Sequence, residues 1–508
     1  MKTREILSLR RSFRVATALF VGWLALALIV SPAARTQVLA PGTAWVQTLV
    51  ESSQLVDDCP ICDRLPIVRP LRGNFRMRVL TESPIAVTYA IDELRLVAGL
   101  ADQPPVYRIE GQGTFTLGGE VAVQQDWTLD VTIDNGIVAS RVTLTSRNRI
   151  PGRHWPMLQV ELDQTNGSET QQYSLTLATA PFRELWISSV KGFVAGNWSA
   201  PTNQISDGDL VSTAGRVVRR NAELTARLGI MPAVPDLGLK AVDLRAGGEV
   251  LFGIDQPAWS EGLAIPLGPG DVLSDRGARI WSNADLLAAF RPATGADAGL
   301  SALQRQPNGE IWFATQTDFF STALGQQIRH GDLLSNQGRV VRAQADLIAR
   351  FNPSPAGVDH GLRCVHVWPG GETWFATATS FQGAGGETYA AGDLLSDRGY
   401  VVFRNAELFQ SFAPPAGAVS GLDACFVISD AEVDANALPP RLELPERLAP
   451  PASGFGLSWK GGGRVFQLER TEALPGAFEL LTPIVPDLTF EDAGAAARPA
   501  TVYRVRQW

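Results

Sequence analysis

GDLLSNQGRVV, residues 331–341, is followed by GDLLSDRGYVV at 392–402 and preceded by GDVLSDRGARI at 270–280 and GDLVSTAGRVV at 208–218. The steps between them are 62, 61 and 61 residues. A fixed period of this length marks a repeated supersecondary unit that cannot bury its apolar face alone. Gly238, Gly299, Gly361 and Gly421 each open an apolar stretch (GLKAVDL, GLSALQR, GLRCVHV, GLDACFV), and RELWI, GEVLF, GEIWF and GETWF mark a second strand. SDRG or SNQG joins a third strand to a fourth, with glycine where a tight hairpin needs positive φ.

The period then turns helical. NAEL, NADL, QADL and NAEL begin at Asn221, Asn283, Gln344 and Asn405, and the asparagines read as N-caps. Glu223, Asp285, Asp346 and Glu407 fall in the first turn, where the helix dipole favours negative charge, and Pro232, Pro292, Pro353 and Pro414 soon stop the helix. Each unit is thus predicted to hold four strands and a helix too short to stand alone, packed on its own sheet or the next.

Such units stack around an axis or along a line. GEIWFAT and GETWFAT resemble the blade strands of bacterial β-propellers, such as the sensor domains of two-component regulators and the virginiamycin lyase type. Over residues 180–430 the resemblance implies a small propeller of four units. The chain departs from those families in its longer unit with an added helix, and it has no histidine cluster on which to place a lyase mechanism. Taken whole, with DDCPICD ahead of them, the repeats are similar to those of uncharacterised secreted bacterial proteins. GLDACFVI at 421–428 is a fifth first-strand with no unit behind it, as expected of a strand closing a ring onto the first unit. The alternative is an open array.

The expected fold class is therefore all-β: a repeat array at 173–430 between an antiparallel β domain at 64–172 and a small β-sandwich at 453–508. FRMRV, WTLDVTI and MLQVEL in the first of these alternate apolar and polar residues, as a sheet with one wet face does. PPRLELPERLAPPA lies in a proline-rich linker at 431–452. The last segment resembles accessory modules at the C-termini of secreted bacterial proteins.

Lys2, Arg4, Arg10, Arg11 and Arg14 precede an apolar run from Val15 to Val30 and then Pro32, Ala33 and Ala34, the pattern of a secretory signal over 1–34. The run is shorter than the roughly 20 residues of a spanning helix, with an uncleaved anchor as the alternative. The expected location is secreted or periplasmic, with cell-surface association open. A net charge of -8 without a basic cluster beyond the N-terminus argues against nucleic acid as a partner. In an oxidising compartment Cys59 and Cys62, in the segment 35–63, read as a local disulfide or free thiols. Zinc would need two further ligands that the four histidines do not offer at a recognisable spacing. Cys364 and Cys425 are expected not to be linked, because counting from the shared Gly-Leu puts them on opposite faces of regular strands.

The recurring acids Glu184, Glu249, Glu310 and Glu372, and Asp209, Asp271, Asp332 and Asp393, occur once per unit and read as turn-holding groups rather than catalytic pairs. Trp186, Trp312 and Trp374, with Leu251 in the same slot, read as packing between sheets. Asp430, Glu432, Asp434 and Asn436 alternate as in a calcium loop, but the glycine is missing and Arg441 stands where the bidentate Glu belongs. No nucleophile elbow, HExxH or phosphate-binding loop occurs. The loops between second and third strands carry Trp198, Trp259, Phe320 and Tyr389 at unmatched places, which makes these four the candidate ligand-binding residues. The favoured reading is an exported non-catalytic scaffold or binding protein, without cofactor or metal, whose partner is a cell-surface glycan or protein. The alternative is a hydrolase or lyase with its site at the axial opening.

Overall fold

Alternation along residues 54–180 ends in a sheet that closes on itself. The computed structural model describes residues 44–508 apart from 101–103, 200, 235, 419–420, 434–436, 444–454 and 495–500, so the expected signal at 1–34 lies outside the described residues. The strands are β1 (Ala44–Leu49), β2 (Gln54–Asp58), β3 (Ile67–Glu82), β4 (Ala86–Ala98), β5 (Tyr107–Gly118), β6 (Gln124–Asp134), β7 (Ala139–Ser146), β8 (Leu158–Gln164) and β9 (Gln172–Ala180). From β2 to β9 each strand pairs antiparallel with its chain neighbours, and β9 returns to β2, completing a ring of eight. β1 pairs with β3 and with the end of β9.

Along β6, Trp127, Leu129, Val131 and Ile133 are buried while Asp126, Thr128, Asp130 and Thr132 are exposed. The inward set meets Phe75, Tyr89 and Phe115 in one core, and burying each large aromatic contributes roughly 2–3 kcal/mol. A ring of eight strands has an interior that side chains just fill. Its outward face is polar and its inside apolar, the reverse of a lipid-facing barrel. Among the described residues no helix is long and apolar enough to cross a membrane. The sheet is larger than the expected span 64–172: β2 belongs to the segment read as a separate N-terminal piece, and YSLTLAT at 173–179, within the span expected for the repeats, is part of β9. Its Tyr173, Leu175 and Leu177 face the ring interior.

The repeats begin at Glu184 instead. Three four-stranded sheets follow chain order, built from 241–245, 249–253, 272–274 and 278–281, from 302–305, 311–314, 333–335 and 339–342, and from 362–367, 373–377, 394–396 and 400–403. The remaining sheet is made of 184–189, 210–212 and 216–219, and its first place is filled from the far end of the chain by Leu422–Ile428, with Trp186 opposite Phe426. This is the strand expected to close the set. The four first strands pack on one another in cyclic order.

The helices are α1 (Asn221–Thr225), α2 (Asn283–Leu287), α3 (Gln344–Ile348) and α4 (Asn405–Leu408), each followed by a single 3-10 turn. Asn221, Asn283 and Asn405 are not the caps. They stand one residue inside, buried, and the N-caps are Arg220, Ser282 and Arg404, with Ala343 in the remaining unit. Cap chemistry comes from elsewhere: the N–H groups of Asn221, Asn283, Gln344 and Asn405 donate to Oδ1 of Asp209, Asp271, Asp332 and Asp393 at 3.0, 3.1, 3.1 and 2.8 Å. The side-chain oxygens of Asn221, Asn283 and Gln344 in turn accept from the N–H of Leu237, Ala298 and His360, just ahead of the next first strand.

Each helix packs on the next sheet. A Cβ added at the turn glycine Gly338, whose φ is +80°, would lie 2.8 Å from Ala289 Cβ of the preceding unit. Gly277 meets Arg227 and Gly399 meets Arg350 in the same way, and Gly215 of the first unit meets Ser411 of the last. Ser411 also donates to the Thr213 carbonyl at 2.7 Å. The units are thus joined in a cycle at the rim as well as near the centre.

Contrary to the parity argument, Cys364 and Cys425 are disulfide-bonded. The strand carrying Cys364 is not regular. Pairing runs from Arg363 opposite Ala376 to Val365 opposite Phe375, and Cys364 is left out between them at φ +43°. A residue displaced from the ladder does not obey alternation.

The C-terminal module is two three-stranded sheets, 441–443 with 455–460 and 489–492, and 479–480 with 466–471 and 502–507. Residues 441–443, read as linker, are therefore a strand. Trp459, Phe466, Leu468 and Val505 form its core. Val465, Ile484 and Trp508 leave that core and join Trp186 and Phe426 of the repeats.

Candidate functional site

The repeated acids hold the framework. Besides capping a helix, Asp209, Asp271, Asp332 and Asp393 accept with Oδ2 from a turn N–H three residues back. Glu249 accepts from Ser274 Oγ at 2.6 Å, and Glu310 accepts from Ser335 Oγ. Glu372 accepts from Ser396 Oγ at 2.7 Å, from Trp374 Nε1 at 3.0 Å and from the Tyr400 hydroxyl. Glu184 takes Trp186 Nε1 and Arg216. The acid ahead of the second strand thus ties it to the third or fourth, which explains why GE and GDLLS recur together.

A site for one asymmetric ligand is found instead where repeat-equivalent positions disagree. Three sets do so at the start of the first strands. The third residue from each shared glycine is Lys240, Ser301, Arg363 or Asp423. The residue before each GD is Asp207, Pro269, His330 or Ala391, and the carbonyls of the first three accept from the N–H of Leu239, Leu300 and Leu362. The residue against each shared glycine is Asp255, Gln316, Ala378 or Val190. The glycine is required by closeness: a Cβ on Gly299, at φ +70°, would stand 2.7 Å from Gln316 Cβ.

These sets converge. Lys240 Nζ donates to Asp423 Oδ2 at 2.8 Å and lies 3.6 Å from Asp255 Oδ1, while Arg363 forms an ion pair with the other oxygen of Asp423. Asp423 is 1% exposed. Lys240, Asp255, Ser301, Gln316, His330 and Arg363 line a cavity of about 170 Å³. Burial and the neighbouring Arg363 guanidinium lower the Lys240 pKa against the pull of Asp255, and burial lowers that of Arg363. Burial and then Asp236 raise that of Asp207.

On the rim of the cavity His330 Nδ1 stands 2.7 Å from Asp318 Oδ1 and 3.4 Å from Asp359 Oδ2. Burial would raise the Asp318 carboxyl, but hydrogen bonds from His330 outweigh it and hold it low. Asp318, His330 and Asp359 have ligand atoms within 4.8 Å of one another, a set that a metal ion could use. Asp359, however, accepts from Gly331 and Gly361 N–H as Asp297 does from Gly270 and Gly299, so its place is fixed by the turn.

The four loop aromatics do not meet. Trp198 packs on Phe412 with ring centroids 5.4 Å apart, and Tyr389 packs on Phe351 at 4.7 Å. Trp259 and Phe320 are 46% and 44% exposed. Against the expectation of unmatched places, these two are equivalent, each the middle residue of a three-residue strand that begins the outer hairpin of its unit. Cys59 and Cys62 are linked to each other. Of the calcium-like run, Asp430 is taken by Arg183, Trp508 and Val46, and Glu432 by His366 and Arg464, while Asp434 and Asn436 lie outside the described residues.

No family model matches this chain, and no curated protein does. What the cavity can do follows from its groups alone. It offers two cations, the Asp255 carboxylate and amide and hydroxyl groups within a space smaller than the roughly 300 Å³ of a drug-sized pocket. That suits a small solute with both charges.

Proposed function

We propose that this is an exported binding protein whose four repeat units form a β-propeller, with a small polar, dipolar solute held at the Lys240–Arg363–Asp423 end of the axis. The observation that supports it most is that a repeated framework carries four different side chains at the third place counted from its shared glycine. Symmetry is abandoned where a single ligand would make unlike contacts. The equivalent, exposed Trp259 and Phe320 give the rim a separate surface for a cell-surface glycan or protein, each burying a large area at small entropy cost.

Thermal shift of the purified full chain against amino acids and betaines, with neutral monosaccharides alongside, tests the axial site. Stabilisation by a dipolar solute, lost in Gln316→Ala and in His330→Gln, is the expected result. No shift with any of them rejects it. The enzymatic alternative is supported by Lys240 beside a polar cavity, its pKa lowered by burial and by Arg363; turnover of any supplied ester, amide or glycoside that Lys240→Met abolishes would decide for it.

A further inference from the structure

A second cavity, of about 390 Å³, separates the β7–β8 loop of the eight-stranded ring from the fourth repeat sheet. It is within the range of small-molecule sites. Arg153, Trp155, Trp368, Tyr400, Arg350 and Arg398 line it. Three of these carry buried donors with no acceptor: Nη1 of Arg153, Nε1 of Trp155 and Nε1 of Trp368. Trp368 is 2% exposed. Buried donors are almost always paired, and an orphan forfeits the hydrogen bonds it had in water. Three orphans around one space, all donors, call for a ligand that only accepts.

Charge agrees. The guanidinium of Arg153 lies 3.8 Å over the Tyr400 ring, and Arg350 and Arg398 are exposed at the mouth. The acid among the lining residues is Glu372, whose Oε1 is already occupied by Ser396, Trp374 and Tyr400. Arginine matches oxyanions with a planar fork. Pro156, Met157 and the Trp155 ring supply apolar wall, which a bare inorganic anion would not use. The framework does not demand this arrangement, since Trp368 stands where the third repeat sheet has Gln306: both pair their N–H with the carbonyl of the recurring glutamate, Glu372 and Glu310.

We propose that this cleft binds a carboxylate carried on a carbon skeleton, either a free organic acid or a uronic acid residue of a glycan. The carboxylate accepts from Arg153 and the two indole N–H groups while its skeleton lies on Trp155, Pro156 and Met157. The test is calorimetric titration of the full chain with succinate, galacturonate and trigalacturonate, with galactose and inorganic phosphate as comparators. Binding of succinate identifies a free acid as the source, and binding of the uronates alone identifies a glycan. Failure of every carboxylate to bind overturns the proposal, as does galactose binding as well as galacturonate or phosphate binding more tightly than either acid. Trp368→Phe keeps the ring and removes one donor, and should weaken binding several-fold; Arg153→Gln should weaken it at least about tenfold. Arg276→Gln, at the turn position of the second repeat sheet that Arg398 holds in the fourth, should leave affinity unchanged. Wild-type affinity in Trp368→Phe, whose core packing is preserved, would overturn the proposal even if Arg153→Gln folds poorly.

Discussion

At Ser282 a cap and a titration are one interaction. Its hydroxyl accepts from Asp285 N–H at 3.1 Å, and both the hydroxyl and the N–H of Ser282 donate to Asp285 Oδ2, at 2.6 and 2.9 Å. These bonds favour the ionised carboxyl and hold its pKa below the ordinary value. A folded value below the unfolded one contributes stability above about pH 4, and that contribution is lost as the pH falls through the folded value. Ser282→Ala should therefore cost about 1 kcal/mol at neutral pH. The gap from wild type should narrow below pH 4, and a nuclear magnetic resonance titration should find the Asp285 pKa raised towards normal. The sequence places Asp285 in a first turn and is silent on which residue caps it. NADL reads as Asn-first because asparagine suits that role; an aspartate twelve positions earlier, Asp271, had already taken the first N–H.

The element that departs furthest from its sequence reading is the strand 362–367. Alternation counted from Gly361 assumes an unbroken ladder, and no residue type between Arg363 and Val365 announces the slip at Cys364. Glycine or asparagine would have done so; a cysteine at positive φ does not. The resulting bond joins the first strand of the fourth repeat sheet to the strand that completes the first. It closes a loop of about 60 residues, for which chain entropy gives roughly 4 kcal/mol. Reduction, or Cys364→Ala with Cys425→Ala, should lower the unfolding free energy by that amount and move the denaturant midpoint down with it. Hydrogen exchange should speed up first in 184–189 and 422–428. A doubly substituted chain with unchanged midpoint and exchange would show that the non-covalent closure alone sets stability.

Over the whole molecule the period of about 61 residues made the repeats legible, while the eight-stranded ring went unseen as a closed object because closure depends on β9 meeting β2 across more than a hundred residues. The Lys240–Arg363 cavity is marked in the sequence only by small disagreements at the start of well-matched strands, at Lys240, Ser301, Arg363 and Asp423. Asp430 joins the parts: it accepts from Val46 N–H at 2.8 Å, from Arg183 Nε at 2.8 Å and from Trp508 Nε1 at 2.7 Å, so β1, the entry to the repeats and the C-terminus share one carboxylate. Removing it strands Arg183, which is largely buried, and Asp430→Ala should cost roughly 3–5 kcal/mol in urea unfolding, with Asp430→Asn recovering part. Closure by Leu422–Ile428 also sets a clock. In a chain synthesised from its N-terminus Glu184–Ser189 is complete long before its last neighbour, so for some 230 residues it has one unpaired margin. The repeats therefore stay open until nearly all of the chain has been made, and they lock only with their last strand.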